Sequence, residues 1–209
     1  MTFDLAGAVG RLEALVDEPA GRPRAAVVLA HPHPEYGGTM RSRVVHEAAK
    51  AFVRVGAAVL RFNYRGVGTS EGRFTAGHGE MLDFRAALDA MAARHPDVPL
   101  WAAGYSFGAW VAMSVGAADP RVAAIVGIAP PLPLYDFAGA AGSTATKLII
   151  QADRDEICPL ETTRRYYATL AEPRDLVVID GADHAFNGRA IEVAEAIEDL
   201  FGEQPTAAH

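Results

Sequence analysis

The chain has 209 residues, half of them hydrophobic, with a formal charge of −7 and an isoelectric point near 5.5. That length holds one domain with a substantial core, which excludes a disordered chain or a miniature stapled by disulfides. The excess of acids and the scattered arginines argue against a nucleic-acid partner or an anionic membrane, since both require clustered Lys and Arg.

In chain order, the segment from Phe3 to Val16 carries "AGAVG" between two short mixed runs. It predicts an antiparallel hairpin at a sheet edge, within residues 1–17. Its first residues lack the basic-then-apolar layout of a secretion signal, and no apolar run approaches the roughly 18 residues of a spanning helix. The lone Cys158 has no partner for an intrachain disulfide. A cytoplasmic setting is expected, with no membrane partner.

Short runs rich in Val, Ile and Leu then recur: "RAAVVLA", "AAVLRFN", "PLWAAGY", "VAAIVGIA", "KLIIQA" and "DLVVID". Each precedes a turn-rich segment and reads as a buried parallel strand. Helical spacing fills the intervals Met40–Val55, Gly79–Arg94, Phe107–Ala118, Pro159–Leu170 and Arg189–Phe201. Strand followed by helix, repeated, predicts an α/β fold: a mostly parallel sheet of about eight strands with helices on both faces. No internal repeat or linker divides residues 1–209, and the final "GEQPTAAH", residues 202–209, reads as a frayed tail that includes His209.

Ligands of such sheets collect at the carboxyl ends of the strands, so the residues just after each run carry the functional information. "GYSFGAW" places Ser106 between Gly104 and Gly108, where a strand gives way to a helix. A very tight turn there requires small flanking residues and leaves the serine exposed. Asp153 and Asp155 follow "KLIIQA", and His184 follows "DLVVID" in "GADHAF". A serine hydroxyl needs a neighbouring imidazole to take its proton, and a carboxylate to fix that imidazole's tautomer. Ser106, one of these aspartates and His184 therefore form a candidate catalytic set, with Asp136 a poorer third choice of acid. The oxyanion formed on attack needs two fixed N–H donors, and the Phe107 amide, at the positive end of its helix, is one.

The order Ser, Asp, His on loops at one end of a sheet resembles the α/β-hydrolase superfamily over almost the whole chain. "HPHPEYGGTM", "RFNYRGVGTSEG", "GYSFGA" and "GADHAF" look more narrowly like the small, lidless, dienelactone-hydrolase-like branch of serine esterases. The resemblance implies an acid about four residues before a helix-opening proline, which favours Asp155, ahead of Pro159, over Asp153. Ala152 departs from the glycine that such relatives often carry. The resemblance also implies that the second oxyanion amide comes from "HPHPEYGG". Pro32 and Pro34 have no N–H, so His33 or Tyr36 supplies it, with His33 favoured. His31 is expected to brace the loop.

Other features have plainer readings. The prolines of "HPH" and the lack of nearby ligands argue against metal. "GVGTSEG" has Glu71 where a dinucleotide fingerprint needs glycine, so it is expected to be a turn packed behind the site, and no cofactor is expected. Arg65 pairs either with a carboxylate under the site or at the surface, Cys158 is expected as a buried filler, and Asp183 as a residue tying its own loop. His46, His78 and His95 are assigned to helix structure.

Only "PPLPLYDFAGAAGSTAT" lies between the fourth and fifth parallel runs, too short for a cap domain. An open site suits small or short-acyl esters, with Tyr36, Trp110, Leu132, Tyr135 and Phe186 as expected pocket liners. The expected activity is thus hydrolysis of a small-molecule carboxylic ester through an acyl-enzyme. The same groups acting on an amide, thioester or lactone, or a non-catalytic binding protein of hydrolase shape, are the alternatives.

Overall fold

The structure, a computed structural model, describes residues 2–202. Of the expected tail at 202–209, Gly202 instead closes the last helix, and residues 203–209 lie outside the described residues.

An eight-stranded sheet has the order β1-β2-β4-β3-β5-β6-β7-β8. Its strands are β1 (Thr2–Gly7), β2 (Gly10–Asp17), β3 (Ala25–Ala30), β4 (Ala57–Phe62), β5 (Leu100–Tyr105), β6 (Val122–Ile128), β7 (Thr146–Ala152) and β8 (Arg174–Ile179). The first two form the edge hairpin, in register Leu5↔Leu12, and β2 pairs antiparallel with β4. All later pairings are parallel. The helices are α1 (Arg43–Arg54), α2 (His78–Arg94), α3 (Phe107–Ala118), α4 (Leu160–Thr169) and α5 (Ala190–Gly202).

Alternate residues of each central strand serve two separate cores. Val27, Leu29, Val59, Trp101 and Ile150 meet α1 and α5 through Phe52, Val193, Ile197 and Phe201. Val28, Leu60, Phe62, Ala102 and Ile149 meet α2 and α3 through Phe84, Leu88, Met91, Val111 and Met113. Because both faces are covered, β3, β4 and β5 are buried at every residue, which is why β3 and β5 read as unbroken apolar runs and β4 as one broken only by Arg61, whose guanidinium pairs with Asp17.

Helix α1 starts three residues later than its apolar spacing suggests. Ser42 closes a turn with Thr39, and the Met40 N–H donates to Asn63 Oδ1 at 2.8 Å, so Met40 is held out of the helix. The "GVGTSEG" turn packs on the edge hairpin: the Glu71 N–H donates to the Arg11 carbonyl, and Ser70 Oγ accepts from the Glu13 N–H. This corrects the expectation that the turn packs behind the site. Arg65 is buried, and donates to both carboxylate oxygens of Asp83 at 2.7 and 3.0 Å.

The strand order decides where a site can form. After β3 the chain moves to one side to build β4, then crosses back to build β5 on the other side, so the loops leaving β3 and β5 diverge from one crevice. The register Ala30↔Gly104 sets those two loops side by side. Between β6 and β7 there is one short 3₁₀ turn, Ala138–Ala140, and no cap domain. Among the described residues, no helix is long and apolar enough to cross a membrane.

Candidate active site

Ser106 lies on the turn between β5 and α3 with φ 54° and ψ −118°. A non-glycine residue there is strained by about 1–3 kcal/mol, which the surrounding contacts must offset. The flanking glycines are dictated by close approach. A Cβ on Gly104 would lie 2.0 Å from the Gly108 carbonyl oxygen, and one on Gly108 would lie 2.6 Å from the carbonyl oxygens of Ala30 and His31. Helix α3 is thereby drawn against the end of β3. The Ser106 N–H donates to the Ile128 carbonyl at 2.8 Å, which continues the parallel ladder and fixes the turn to β6.

The ladder also carries the other loops. The Ala129 N–H donates to Ile150 O, and the Asp153 N–H to Ile179 O, which anchors the segment after β7 on β8. His184 Nε2 then lies 2.9 Å from Ser106 Oγ, and its Nδ1 lies 2.8 Å from Asp155 Oδ2. Ser106, His184 and Asp155 thus form one hydrogen-bonded file. Asp153 is half-buried and makes no hydrogen bond to His184, and the Asp136 carboxylate accepts from the Ala138 N–H in its own loop.

Four donors converge on Asp155. Oδ2 accepts from His184 and from Gln151 Nε2 at 2.8 Å, while Oδ1 accepts from the N–H groups of Ile157 and Cys158 at 2.9 and 2.8 Å. Burial alone would raise its pKa, but the hydrogen bonds from His184, Cys158 and Ile157 outweigh it and hold the carboxyl below its ordinary range. It is therefore an anion at neutral pH, facing Nδ1.

The loop after β3 is braced from within. His31 is fully buried; its Nδ1 lies 2.6 Å from the Pro32 carbonyl and must carry the proton, so Nε2 accepts from the Tyr64 N–H at 3.1 Å. Burial, only partly offset by the Pro32 carbonyl, lowers its pKa to about 4, so it stays neutral. The Tyr36 N–H is committed to the His33 carbonyl at 3.2 Å. The His33 N–H has no acceptor among the described residues, and neither does that of Phe107 at the first position of α3. The His33 ring packs edge-on against Phe107 at 5.1 Å, which puts the two amide-bearing residues in contact.

Around this point lies an aromatic wall. Trp110 and Tyr135 stack at 4.4 Å, Tyr135 and Phe74 meet the Phe107 ring, and Tyr36, 87% exposed, covers His33. Leu132 and Tyr135 also line a cavity of about 610 Å³ between the β6–β7 segment and α4. Phe186 departs from the expectation of a pocket liner: it is 1% exposed and packed in the core against Tyr105, because its φ of 51° turns the chain inward. Asp183 ties its own loop through Asn187. Cys158 is buried, with Sγ against Thr163 Oγ1. No cluster of metal-ligating side chains occurs among the described residues.

Sequence reasoning did not find Gln151, Phe74, Tyr105 or Glu156. Gln151 had a signal, since it is the single polar residue in the apolar "LIIQA" just ahead of the acid. Phe74 had none, because it arrives from a loop on another strand.

Residues 21–137 match the family described as serine aminopeptidase, S33. An uncharacterised protein of Rickettsia prowazekii is 36% identical over 205 residues, covering 93% of this chain and 86% of its own. Two solved structures are similar throughout. An α/β serine hydrolase homologue from Coxiella burnetii has a TM-score of 0.90 and 37% identity, with 96% of this chain and 97% of that one covered. A member of the α/β serine hydrolases without lid, from Xanthomonas campestris, has a TM-score of 0.91 and 33% identity, with 100% and 96% covered.

Proposed function

Because the chain belongs to the serine aminopeptidase S33 family within the α/β-hydrolase superfamily, we propose that it is a serine esterase of small or short-acyl carboxylic esters. The observation that carries this reading is the file Asp155 Oδ2, His184 Nδ1, His184 Nε2, Ser106 Oγ, with separations of 2.8 and 2.9 Å. In it, His184 accepts the Ser106 proton as Oγ attacks the acyl carbon, and Asp155 holds the proton on Nδ1 and faces the imidazolium. The oxyanion is received by the Phe107 and His33 amides. Nε2 returns the proton to the departing alcohol, and a water deprotonated by Nε2 then releases the acid from Ser106.

Short esters are favoured because no cap domain covers the site. Tyr36, Trp110 and Tyr135, with Leu132, give a substrate an apolar, mostly aromatic surface to lie on, without the enclosure by a cap that a long alkyl chain requires. Amide, thioester and lactone bonds are open to the same chemistry, and the aminopeptidase in the matched family's description makes amides the first of these to assay.

The test is Ser106→Ala. The variant should lose nitrophenyl butyrate hydrolysis and fluorophosphonate labelling while keeping the parent's unfolding transition. Retained turnover would remove the serine from the mechanism. A series from nitrophenyl acetate to nitrophenyl palmitate should peak at the short end, and a long-chain optimum would contradict the open-site argument.

A further inference from the structure

His184 stands on the loop after β8, which has only β7 as a neighbour in the sheet. Loops at sheet edges are the least constrained parts of such folds, yet a 2.9 Å contact to Ser106 does not survive a displacement of 1 Å. Something beyond the sheet must therefore fix the main chain of this loop.

The Arg154 N–H, donating to the Ala182 carbonyl, and Asp183, bound to Asn187, hold the loop to either side, and two side chains hold the peptide groups of His184 itself, each adjacent in sequence to another member of the file. Tyr105, immediately before Ser106, donates its hydroxyl to the His184 carbonyl at 3.0 Å. Glu156, immediately after Asp155, accepts the His184 N–H on Oε2 at 3.1 Å. The ring of His184 is thus held by Ser106 and Asp155, and its backbone by their chain neighbours. We infer that Tyr105 and Glu156 are positioning residues that place the His184 main chain, and through it the imidazole, for proton transfer with Ser106. This rests on the serine-hydrolase reading above.

The two groups suit the task. Burial, then the negative charges of Asp155, Asp183 and Glu156, push the Tyr105 phenol well above its ordinary pKa, so it remains a donor across the working range. Its ring is fixed between the His184 and Phe186 rings, at 6.0 and 6.2 Å. Glu156 is exposed, and its carboxylate has no other hydrogen-bond partner among the described residues. A carboxylate in that position contributes little to stability, so replacing it leaves the fold intact.

The test compares the parent with Glu156→Ala, Glu156→Gln, Tyr105→Phe and Ser106→Ala on nitrophenyl butyrate, with thermal unfolding measured in parallel. Glu156→Ala should lower kcat by about tenfold to one-hundredfold with KM unchanged, because the ring is displaced and the substrate surface is not. Glu156→Gln keeps an acceptor oxygen and should recover most of that loss. Tyr105→Phe should lower kcat in the same way. If Tyr105→Phe fails to fold, the Glu156 pair decides alone. A kcat for Glu156→Ala equal to the parent's would overturn the inference, as would a Gln variant as impaired as the Ala one, which would make the charge the active feature. In either case an inactive Ser106→Ala leaves the serine-hydrolase reading standing, whereas an active one removes that reading itself.

Discussion

Replacing Asp155 by asparagine exchanges one oxygen for an NH₂ group and leaves the shape of the side chain intact. All four groups that face this carboxylate are donors: the Ile157 and Cys158 amides on Oδ1, and His184 Nδ1 and Gln151 Nε2 on Oδ2. The two backbone amides are fixed in their turn, so the oxygen of the new amide goes to them and its NH₂ faces His184. Nδ1 must then accept, which moves the ring's proton to Nε2, and Nε2 becomes a donor toward Ser106. A ring in that tautomer cannot take the serine proton. The expected loss is about 10⁴-fold in kcat, or roughly 5.5 kcal/mol of transition-state stabilisation. Nitrophenyl butyrate turnover and fluorophosphonate labelling measure it, with Asp153→Asn as the control. That side chain makes no hydrogen bond to His184, and its variant should stay within about threefold of the parent. If Asp155→Asn kept kcat within tenfold of the parent, or if Asp153→Asn took the larger loss, the proton file proposed here would be wrong.

Two further outcomes follow from the geometry. Gly108→Ala puts a Cβ 2.6 Å from the carbonyl oxygens of Ala30 and His31, backbone atoms that cannot rotate away. It should separate the Phe107 amide from the His33 loop, lower stability by about 1–3 kcal/mol and reduce kcat by about 10²-fold or more, as thermal unfolding and esterase kinetics would record. His31 is neutral in the fold with a pKa lowered from 6.5 to about 4, so below pH 6.5 the unfolded chain takes up its proton first. Its contribution is complete above pH 6.5 and is lost as pH falls towards 4, by about 3 kcal/mol. Urea unfolding of the parent across that window should therefore be steeper in pH than that of His31→Gln, and parallel profiles would refute the assignment.

The strands and helices were legible because both faces of the sheet are covered. Continuous burial leaves runs such as "AAVVLA" with no polar residue, and the turns between them must carry Gly, Pro and Asp. The serine turn was legible for a steric reason: only glycine fits where the Gly104 Cα meets the Gly108 carbonyl, so a small-x-Ser-x-small pattern survives in the sequence. Phe186 misled because an aromatic two residues from the histidine suggests a pocket wall, whereas its left-handed backbone turns it into the core. Asp155 was favoured over Asp153 by the family's spacing to Pro159, because two residues along an irregular loop give by themselves no fixed direction.

Local chain chemistry determined the kind of fold, the serine turn and the small set of acids and histidines from which a site could be drawn, because those properties depend on near neighbours in the sequence. Only the folded molecule decided which of them meet. The Asp155 contact to His184 spans 29 residues, that of Ser106 to His184 spans 78 and that of Tyr105 to the His184 carbonyl spans 79. Such pairings are set by strand order and parallel register, and those come from how the whole sheet buries its two faces.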